Sequence, residues 1–190
     1  AFCGFRHRSD GNFAPQNQPQ FRMKGSFRQA KAMAITMNEE NKDKAYMEEA
    51  LGLAKEAYSD GEVPVGAVVV WEDGRIVGKG RNRREKGKCA LCHAEMEAIE
   101  QACKTLGGWR LHKATLYVTM EPCPMCAGAI FNARIPKVVY GASDPKAGAY
   151  GSVFDLNSLP LNHKTAVEKG LLREESAALL SAFFKDLRKR

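Results

Sequence analysis

The sequence contains no apolar run long enough to cross a membrane as a helix. Its longer apolar runs, such as residues 65–71, are far shorter than the roughly 20 residues that a membrane span requires. The pattern of a secretory signal is also missing, and six cysteines in 190 residues are too few for a disulfide scaffold. We therefore expect a cytoplasmic protein with reduced cysteines, whose spacing indicates metal binding and not cross-linking.

Acidic residues are scarce near the N-terminus. Residues 1–37 carry a formal charge of +5 out of +7 for the whole chain, so the basic total is weak support for nucleic-acid binding by the rest. Residues 1–40 lack hydrophobic periodicity, which predicts a disordered basic extension. Two alternatives stay open: an organelle transit peptide, or a segment foreign to the native protein, since Met37 resembles an ordinary start.

Hydrophobic periodicity predicts one folded domain over residues 41–190. Apolar residues recur at helical spacing over residues 42–58, 93–105, 123–132 and 173–190. Short apolar runs predict strands over residues 65–71, 75–80, 115–120 and 137–141. Residues 142–163 are interrupted by Gly, Ser, Pro and Asn and predict a long functional loop. This order predicts a layered α/β domain, with a mixed central β-sheet flanked by helices.

Two short motifs together form the pattern of a catalytic zinc site. The first is His93-Ala94-Glu95, and the second is Pro122-Cys123-Pro124-Met125-Cys126. Two cysteines three residues apart at a helix start face the same way, so Cys123 and Cys126 can bind one tetrahedral ion, with His93 as the third ligand. Three protein ligands leave the fourth position open for water, which zinc makes acidic.

Glu95 is the predicted catalytic residue of this site. It follows His93 by two residues, a spacing that puts it on a different face of the helix from the ligand. It can therefore approach the water, take its proton and deliver that proton to a ring nitrogen and then to a departing amine. The motifs thus predict hydrolytic deamination.

A second Cys-x-x-Cys pair, Cys89 and Cys92, directly precedes His93 and permits two other interpretations. With His93 it matches the attachment pattern of a c-type haem, which would leave Cys123 and Cys126 unexplained. Alternatively, all four cysteines could form a structural zinc site in a binding module, which would leave Glu95 without a role.

At these residues the chain resembles the bacterial tRNA adenosine deaminase family (TadA) of the cytidine deaminase superfamily. The zinc motifs match a known deaminase signature. The resemblance runs from about residue 44 to residue 188 and includes residues 62–67, Asn82-Arg83, residues 116–126 and residues 141–148. It implies the cytidine-deaminase-like three-layer fold, one zinc ion per subunit, a homodimer and conversion of adenosine to inosine in a tRNA anticodon loop. A free base or nucleoside, such as guanine or cytosine, is the alternative substrate.

The resemblance also implies residues that bind the substrate. Asn82 and the backbone N–H of Ala94 would contact the flipped base, while Val65 and Met120 would line its pocket. The alternative for Asn82 is a turn residue after a strand, and core packing explains Val65 and Met120 equally well. Candidates for contact with the anticodon loop are Asp144, Lys146, Asn162, Lys164, Phe184 and Arg188. A solvated loop and a buried Phe are the alternatives for these six residues. The chain departs from the family at residues 88–92 and at Tyr150, where a small residue is common.

Overall fold

The computed structural model describes the backbone of residues 26–189 and the side chains of residues 38–189. Asn38–Arg190 form one compact unit. The first helix, α1, spans Ser26–Ser59 and so begins earlier than the predicted residue 42. Its early start follows from residues 29–34, in which Gln, Lys, Met and three Ala are all strong helix formers. The rest of the expected disordered extension, residues 1–25, lies outside the described residues.

A five-stranded mixed sheet in the order β2-β1-β3-β4-β5 forms the centre of the domain. β1 is antiparallel to both β2 and β3, whereas β4 is parallel to β3 and β5. The strands are β1 Gly66–Trp71, β2 Ile76–Arg81, β3 Ala114–Met120, β4 Lys137–Ala142 and β5 Ala166–Lys169. The mixed sheet agrees with the fold class that the sequence predicts.

Helices cover both faces of the sheet. The remaining helices are α2 Arg84–Gly87, α3 Ala94–Leu106, α4 Pro124–Asn132 and α5 Arg173–Leu187. On one face, α3 and α4 bury residues such as Ala98 and Ile130 against Val69 and Leu116. On the other face, residues of α1 such as Met47 pack against alternate positions of the same strands. Because successive strand residues point to opposite faces, one buried sheet serves two apolar layers.

α5 lies on the same side of the sheet as α1. The ring of Phe183 packs edge-on against Tyr58 of α1 at a centroid distance of 5.5 Å. Ser176 approaches β4 so closely that a Cβ on Gly141 would lie 2.5 Å from its hydroxyl oxygen. The domain therefore has three layers, α3 with α4, then the sheet, then α1 with α5.

The chain after β4 differs most from the sequence prediction. The predicted loop over residues 142–163 contains a short 3-10 helix at Leu156–Ser158, and it is followed by β5, which the sequence analysis missed. β5 has four residues, Ala-Val-Glu-Lys, and occupies the edge of the sheet. An edge strand with exposed charged side chains has too little apolar alternation to reveal itself in a sequence.

Candidate active site

Strand register brings the motifs to one end of the sheet, the end at which β2, β3 and β4 finish. Gly66 pairs with Arg81 and Ala67 with Val118, so the start of β1 lies beside the ends of β2 and β3. Met120 pairs with Ala142 at the end of β4. α3 follows β2 and the short helix α2, and α4 follows β3. Both α3 and α4 begin at this same end of the sheet. The carboxyl ends of adjacent parallel strands, together with two helix N-termini, are a common location for a ligand.

Three side chains at this edge form a group that could hold a metal ion. His93 immediately precedes α3, and Cys123 immediately precedes α4, with Cys126 in the first turn of α4. The Nδ1 atom of His93 lies 3.7 Å from the Cys123 Sγ and 3.5 Å from the Cys126 Sγ. All three ligand atoms lie within 4.8 Å of one another.

The spacing of these donors fits a tetrahedral zinc ion. Zinc bonds of about 2.05 Å to nitrogen and about 2.3 Å to sulfur, at a tetrahedral angle, place nitrogen and sulfur about 3.6 Å apart. The two observed nitrogen to sulfur distances, 3.5 and 3.7 Å, lie on either side of that value. One imidazole and two thiolates also match the ligand types that zinc prefers.

The three donor side chains shift one another's pKa values, and a bound cation would change their protonation. The hydrogen bond between the two thiols lowers the pKa of Cys123 to about 4 and raises the pKa of Cys126 above its usual value. Contact with the Cys123 sulfur raises the pKa of His93. A divalent cation bound here would favour the deprotonated form of each donor, because only that form offers a free lone pair.

The carboxyl group of Glu95 is buried beside this group. Glu95 is 4% exposed, and it lies in the first turn of α3. Burial raises the pKa of its carboxyl group to about 7, because the charged form loses its hydration. A carboxyl group with such a pKa can both accept and donate a proton near neutral pH, as a general acid and base must.

A small cavity of about 120 Å³ opens onto Glu95. The sequence-predicted residues that line it are Asn82, Ala94, Val65, Met120 and Asp144, together with His93, Glu95 and Cys123. Asn82 is buried and held by its backbone N–H, which donates to the Val65 carbonyl oxygen at 3.0 Å. This volume is below the range of about 300 to 1,000 Å³ that is usual for drug-sized ligands, so the cavity has room only for a small group such as one base.

Three residues that line this cavity were missed by the sequence analysis, Val63, Arg84 and Glu121. Val63 and Glu121 lie inside two ranges that carry the family resemblance, residues 62–67 and 116–126, and Arg84 directly follows the Asn82-Arg83 pair. The backbone register that brings β1, β2 and β3 together is what gathers these positions. Their neighbours in the motifs were therefore the best available guide to them.

Glu121 organises the loop that follows β4. Its carboxylate accepts hydrogen bonds from the backbone N–H groups of Asp144, Tyr150 and Ser152. Burial acts to raise the pKa of Glu121, but the hydroxyl of Ser152 and these N–H groups act more strongly and hold it below its usual value. Tyr150, at a position where the family commonly has a small residue, is buried in the core and does not line the cavity.

A second, larger depression of about 610 Å³ adjoins the cavity and shares Met120 and Asp144 with it. Lys146 lies on one side of this groove, and Phe184 and Arg188 of the α5 end lie on the other. Phe184 is 40% exposed, so part of its ring is available for stacking. The structure thus brings together four of the six candidates for RNA contact, all of them around this groove.

The other two candidates, Asn162 and Lys164, lie elsewhere. Both precede β5, whose first residue pairs with Lys137 at the start of β4, opposite to the Ala142 end. Asn162 accepts a hydrogen bond from the Arg134 guanidinium at 2.6 Å. Lys164 donates to the carbonyl oxygens of Asn157 and Leu159. Each thus has a structural partner, and neither lines the cavity or the groove.

Cys89 and Cys92 form a turn between α2 and α3. The Cys92 N–H donates to the Cys89 carbonyl oxygen at 3.2 Å. Neither cysteine belongs to the metal-binding group found among the described residues, which consists of His93, Cys123 and Cys126. This arrangement disfavours both a four-thiolate site and a haem attached through Cys89 and Cys92.

Comparison with known proteins assigns the chain to a family. A profile of the MafB19-like deaminases matches residues 40–188. The chain is 51% identical over 149 residues to the tRNA-specific adenosine deaminase of Bacillus subtilis, covering 78% of this chain and 92% of that protein. The chain belongs to the tRNA-specific adenosine deaminase family of the cytidine deaminase superfamily. This membership confirms the resemblance found in the sequence motifs, and the protein is accordingly a deaminase.

Further relatives agree with this family. The tRNA-specific adenosine deaminase of Streptococcus pyogenes is 47% identical over 146 residues, covering 76% of this chain and 85% of that protein. A solved structure from a study of A-to-I editing by tRNA:A34 deaminases superposes with a TM-score of 0.69, at 46% identity, covering 71% of this chain and 98% of that chain. A guanine deaminase from Nitrosomonas europaea superposes with a TM-score of 0.62 at 30% identity, covering 74% and 83%. Within the described part of the chain, every helix is too short or too polar to span a membrane.

Proposed function

We propose that the protein converts adenosine to inosine in tRNA, at the wobble position of the anticodon. The observation that carries this proposal is the buried Glu95 carboxyl group, which lies beside the His93, Cys123 and Cys126 donors at a cavity sized for one base. The family supports tRNA as the substrate, because the Bacillus relative is a tRNA-specific adenosine deaminase and a similar structure is of a tRNA:A34 deaminase.

The three donors would hold one zinc ion, in keeping with their spacing and chemistry. When bound, zinc supplies an acidic water molecule as the nucleophile. Glu95 would take one proton from the water and deliver it to the ring nitrogen beside the carbon that carries the amine, as the water oxygen bonds to that carbon. Glu95 would then carry the second proton of the same water, from the new hydroxyl group, to the amine. Ammonia leaves, and a carbonyl group remains in its place.

Two groups in the cavity would orient the base. The side-chain amide of Asn82 offers one donor and one acceptor, which together match the edge of an adenine. The backbone N–H of Ala94 lies in the first turn of α3, where N–H groups have no partner within the helix. Val65 and Met120 supply apolar contact for the ring. These contacts fix which carbon faces the water.

The groove next to the cavity favours RNA over a free base. A base alone would fill the cavity and leave the groove with its Lys146, Phe184 and Arg188 unused. Unpaired loop nucleotides can instead stack on an exposed aromatic ring and place phosphates near the cations. An unpaired loop is also required chemically, because a duplex would hide the target amine.

The protein would act in the cytoplasm as a homodimer. Both statements come from the family, and a sedimentation measurement of the zinc-loaded protein tests the second directly. A mass of twice 21.0 kDa is the expected result. A purely monomeric protein with full activity would contradict the proposed dimer.

The test of the function uses one RNA and a matched set of small substrates. An anticodon stem-loop with adenosine at the wobble position is incubated with zinc-loaded protein, and inosine and ammonia are measured. Free adenosine, cytidine, cytosine and guanine are assayed in parallel, and the same stem-loop with the adenosine moved into the stem is the control. Inosine in the wobble stem-loop alone is the expected result. Turnover of guanine in preference to RNA would favour the activity named for the Nitrosomonas relative.

A further inference from the structure

The carboxylate of Glu121 is the centre around which the loop after β4 folds. Glu121 is 2% exposed. Its Oε1 atom accepts from the N–H of Tyr150 at 3.0 Å and from the N–H of Ser152 at 3.1 Å. Its Oε2 atom accepts from the N–H of Asp144 at 3.1 Å and from the Ser152 hydroxyl. An ionised carboxylate has about four acceptor positions, so all of them are in use.

This saturation excludes a chemical role for Glu121 even though it lines the cavity. A general base or a metal ligand needs a free lone pair, and each carboxylate oxygen of Glu121 already accepts two hydrogen bonds. Three of the four donors are backbone N–H groups, which only an acceptor can satisfy. The side chain must therefore hold the main chain of the loop in place.

Gly148 shows how tightly the loop encloses this carboxylate. A Cβ atom on Gly148 would lie 2.4 to 2.6 Å from the carboxylate carbon and both of its oxygens. The Gly148 N–H donates to the Asp144 carbonyl oxygen at 2.8 Å, and the next N–H, that of Ala149, donates to Pro122 at 2.9 Å. The loop is thus fixed between the carboxylate and the strand end that leads to the Cys123 ligand.

The part of the loop held in this way forms a wall of the proposed substrate site. Asp144 lines both the small cavity and the larger groove. Its carboxylate accepts from the N–H of Lys146 at 2.9 Å, so Lys146 follows wherever Asp144 is placed. Glu121 thereby holds in place the residues that lie between the cavity, proposed for the base, and the groove, proposed for the flanking nucleotides.

We infer that Glu121 is a positioning residue for RNA binding. It holds the loop at residues 144–152 and thereby fixes Asp144 and Lys146. The effect on RNA rests on the proposed function, whereas the fixing of the loop by Glu121 does not. Loss of the anchor should weaken productive RNA binding and leave the chemistry of the bound base almost intact. The proposed zinc ligands should also remain in place, because His93 and Cys123 directly precede α3 and α4 and Cys126 lies in α4, so none of them belongs to this loop.

The test replaces Glu121→Gln and, separately, Gly148→Ala in the full-length zinc-loaded protein. Glutamine keeps the size but replaces one acceptor oxygen with a donor. Alanine at position 148 places a methyl group against the Glu121 carboxylate and separates it from the loop, without changing the chemical identity of Glu121. For both variants we expect KM for the stem-loop RNA to rise at least about tenfold, with kcat changed less than about threefold, because charge-assisted hydrogen bonds are lost. Zinc content should stay at the wild-type level.

Ser152→Ala is the matched control, because it removes one hydroxyl donor and keeps all three N–H donors. Its KM should rise less than in the two test variants, because the three N–H groups still hold the loop to the carboxylate. Unchanged KM in both test variants would overturn the inference. So would a fall in kcat at constant KM, or a loss of zinc, since each would place Glu121 in the chemistry or in the metal site.

Amide hydrogen exchange separates this inference from the proposed function. Glutamine keeps one acceptor oxygen, so it can hold either the N–H of Asp144 or those of Tyr150 and Ser152, but not all three. In Glu121→Gln, the N–H groups that face the new amide NH₂ should exchange at least about tenfold faster than in the wild type, without any substrate present. Wild-type protein that fails to edit RNA would contradict the proposed function, whatever the exchange rates. Unchanged exchange at all three amides, those of Asp144, Tyr150 and Ser152, would overturn the role of Glu121 as an anchor, even if the wild type edits RNA.

Discussion

Gly80 of β2 lies directly against the helix that carries the first metal-binding motif. A Cβ atom on Gly80 would lie 2.1 Å from the carbonyl oxygen of Ala94, the first residue of α3. No side chain can be accommodated at that distance, so only glycine permits this approach of strand and helix. Because His93 precedes Ala94, the same contact sets the position of this proposed metal donor relative to the sheet.

Gly80→Ala should therefore destabilise the domain. The added methyl group would also meet the Ala98 nitrogen at 2.6 Å, and both contacts are with backbone that cannot rotate away. We expect the free energy of unfolding to fall by about 3 kcal/mol or more, at the upper end of overpacking effects. Urea unfolding followed by circular dichroism measures this change.

Gly52→Ala is the control for this substitution. Gly52 lies on the exposed side of α1, and a Cβ there meets nothing within 4 Å. Alanine should raise the stability by about 0.5 to 1 kcal/mol, because it restricts the unfolded chain and favours the helix. A Gly80→Ala variant as stable as Gly52→Ala would show that strand and helix can separate without cost.

Glu95→Gln should abolish deamination without removing the metal. The amide keeps the volume of the buried carboxyl group but cannot move a proton, so kcat should fall by about 10² to 10⁴. Ammonia release measures the activity, and atomic absorption measures the zinc. Glu100→Gln is the control on the same helix, where Glu100 forms an exposed pair with Lys104 at 2.5 Å.

Retention of zinc and of RNA binding is essential to this prediction. Loss of zinc from Glu95→Gln would make Glu95 a ligand or a support for one. Activity at the wild-type level would show that another group moves the proton. Glu100→Gln should leave both the metal and the rate unchanged.

The two Cys-x-x-Cys pairs should behave differently when their thiols are removed. The double variant Cys89→Ser with Cys92→Ser should keep its zinc, because the group that could hold a metal ion consists of His93, Cys123 and Cys126. Cys126→Ser should lose most of its zinc, because its sulfur lies 3.5 Å from the His93 Nδ1 atom and a hydroxyl is a poorer donor for zinc. Zinc content after dialysis measures both effects, and zinc loss in the double variant would make the four-thiolate site correct.

Much of the metal site could be predicted from the sequence because its signals are local. His93 and Cys123 each precede a helix, and the spacing of Cys123 and Cys126 within one turn places their side chains together. Glu121 was named only as part of a motif, because its partners lie more than 20 residues further along the chain. No local pattern records such a contact.

Charge and polarity were poorer guides to the RNA contacts. Lys146 and Lys164 look alike in the sequence, but Lys146 lines the groove, whereas Lys164 donates to the carbonyl oxygens of Asn157 and Leu159. The difference depends on which end of the sheet each loop segment reaches. That end is decided by β5, whose pairing with β4 the sequence analysis did not predict.

Substitutions at the end of α5 should weaken RNA binding in two distinguishable ways. Phe184→Ala removes a ring that can stack on a base, which is worth about 1 to 3 kcal/mol in single-stranded complexes and depends little on salt. Arg188→Ala removes a cation beside the groove, so the slope of the logarithm of affinity against the logarithm of salt concentration should fall by about one unit. Binding of a labelled stem-loop to Glu95→Gln protein, measured at several salt concentrations, separates the two effects without turnover.

Leu187→Ala and Lys164→Ala are the matched controls for these two variants. Leu187 is 50% exposed on the same helix as Phe184 but does not line the groove, and Lys164 carries the same charge as Arg188 at the other end of β4. Neither control should change RNA affinity by more than about 0.5 kcal/mol, the usual limit for a surface substitution. If Lys164→Ala lowered the salt slope as much as Arg188→Ala, the RNA would have to extend well beyond the groove. The path of the backbone would then cross the opposite end of the sheet.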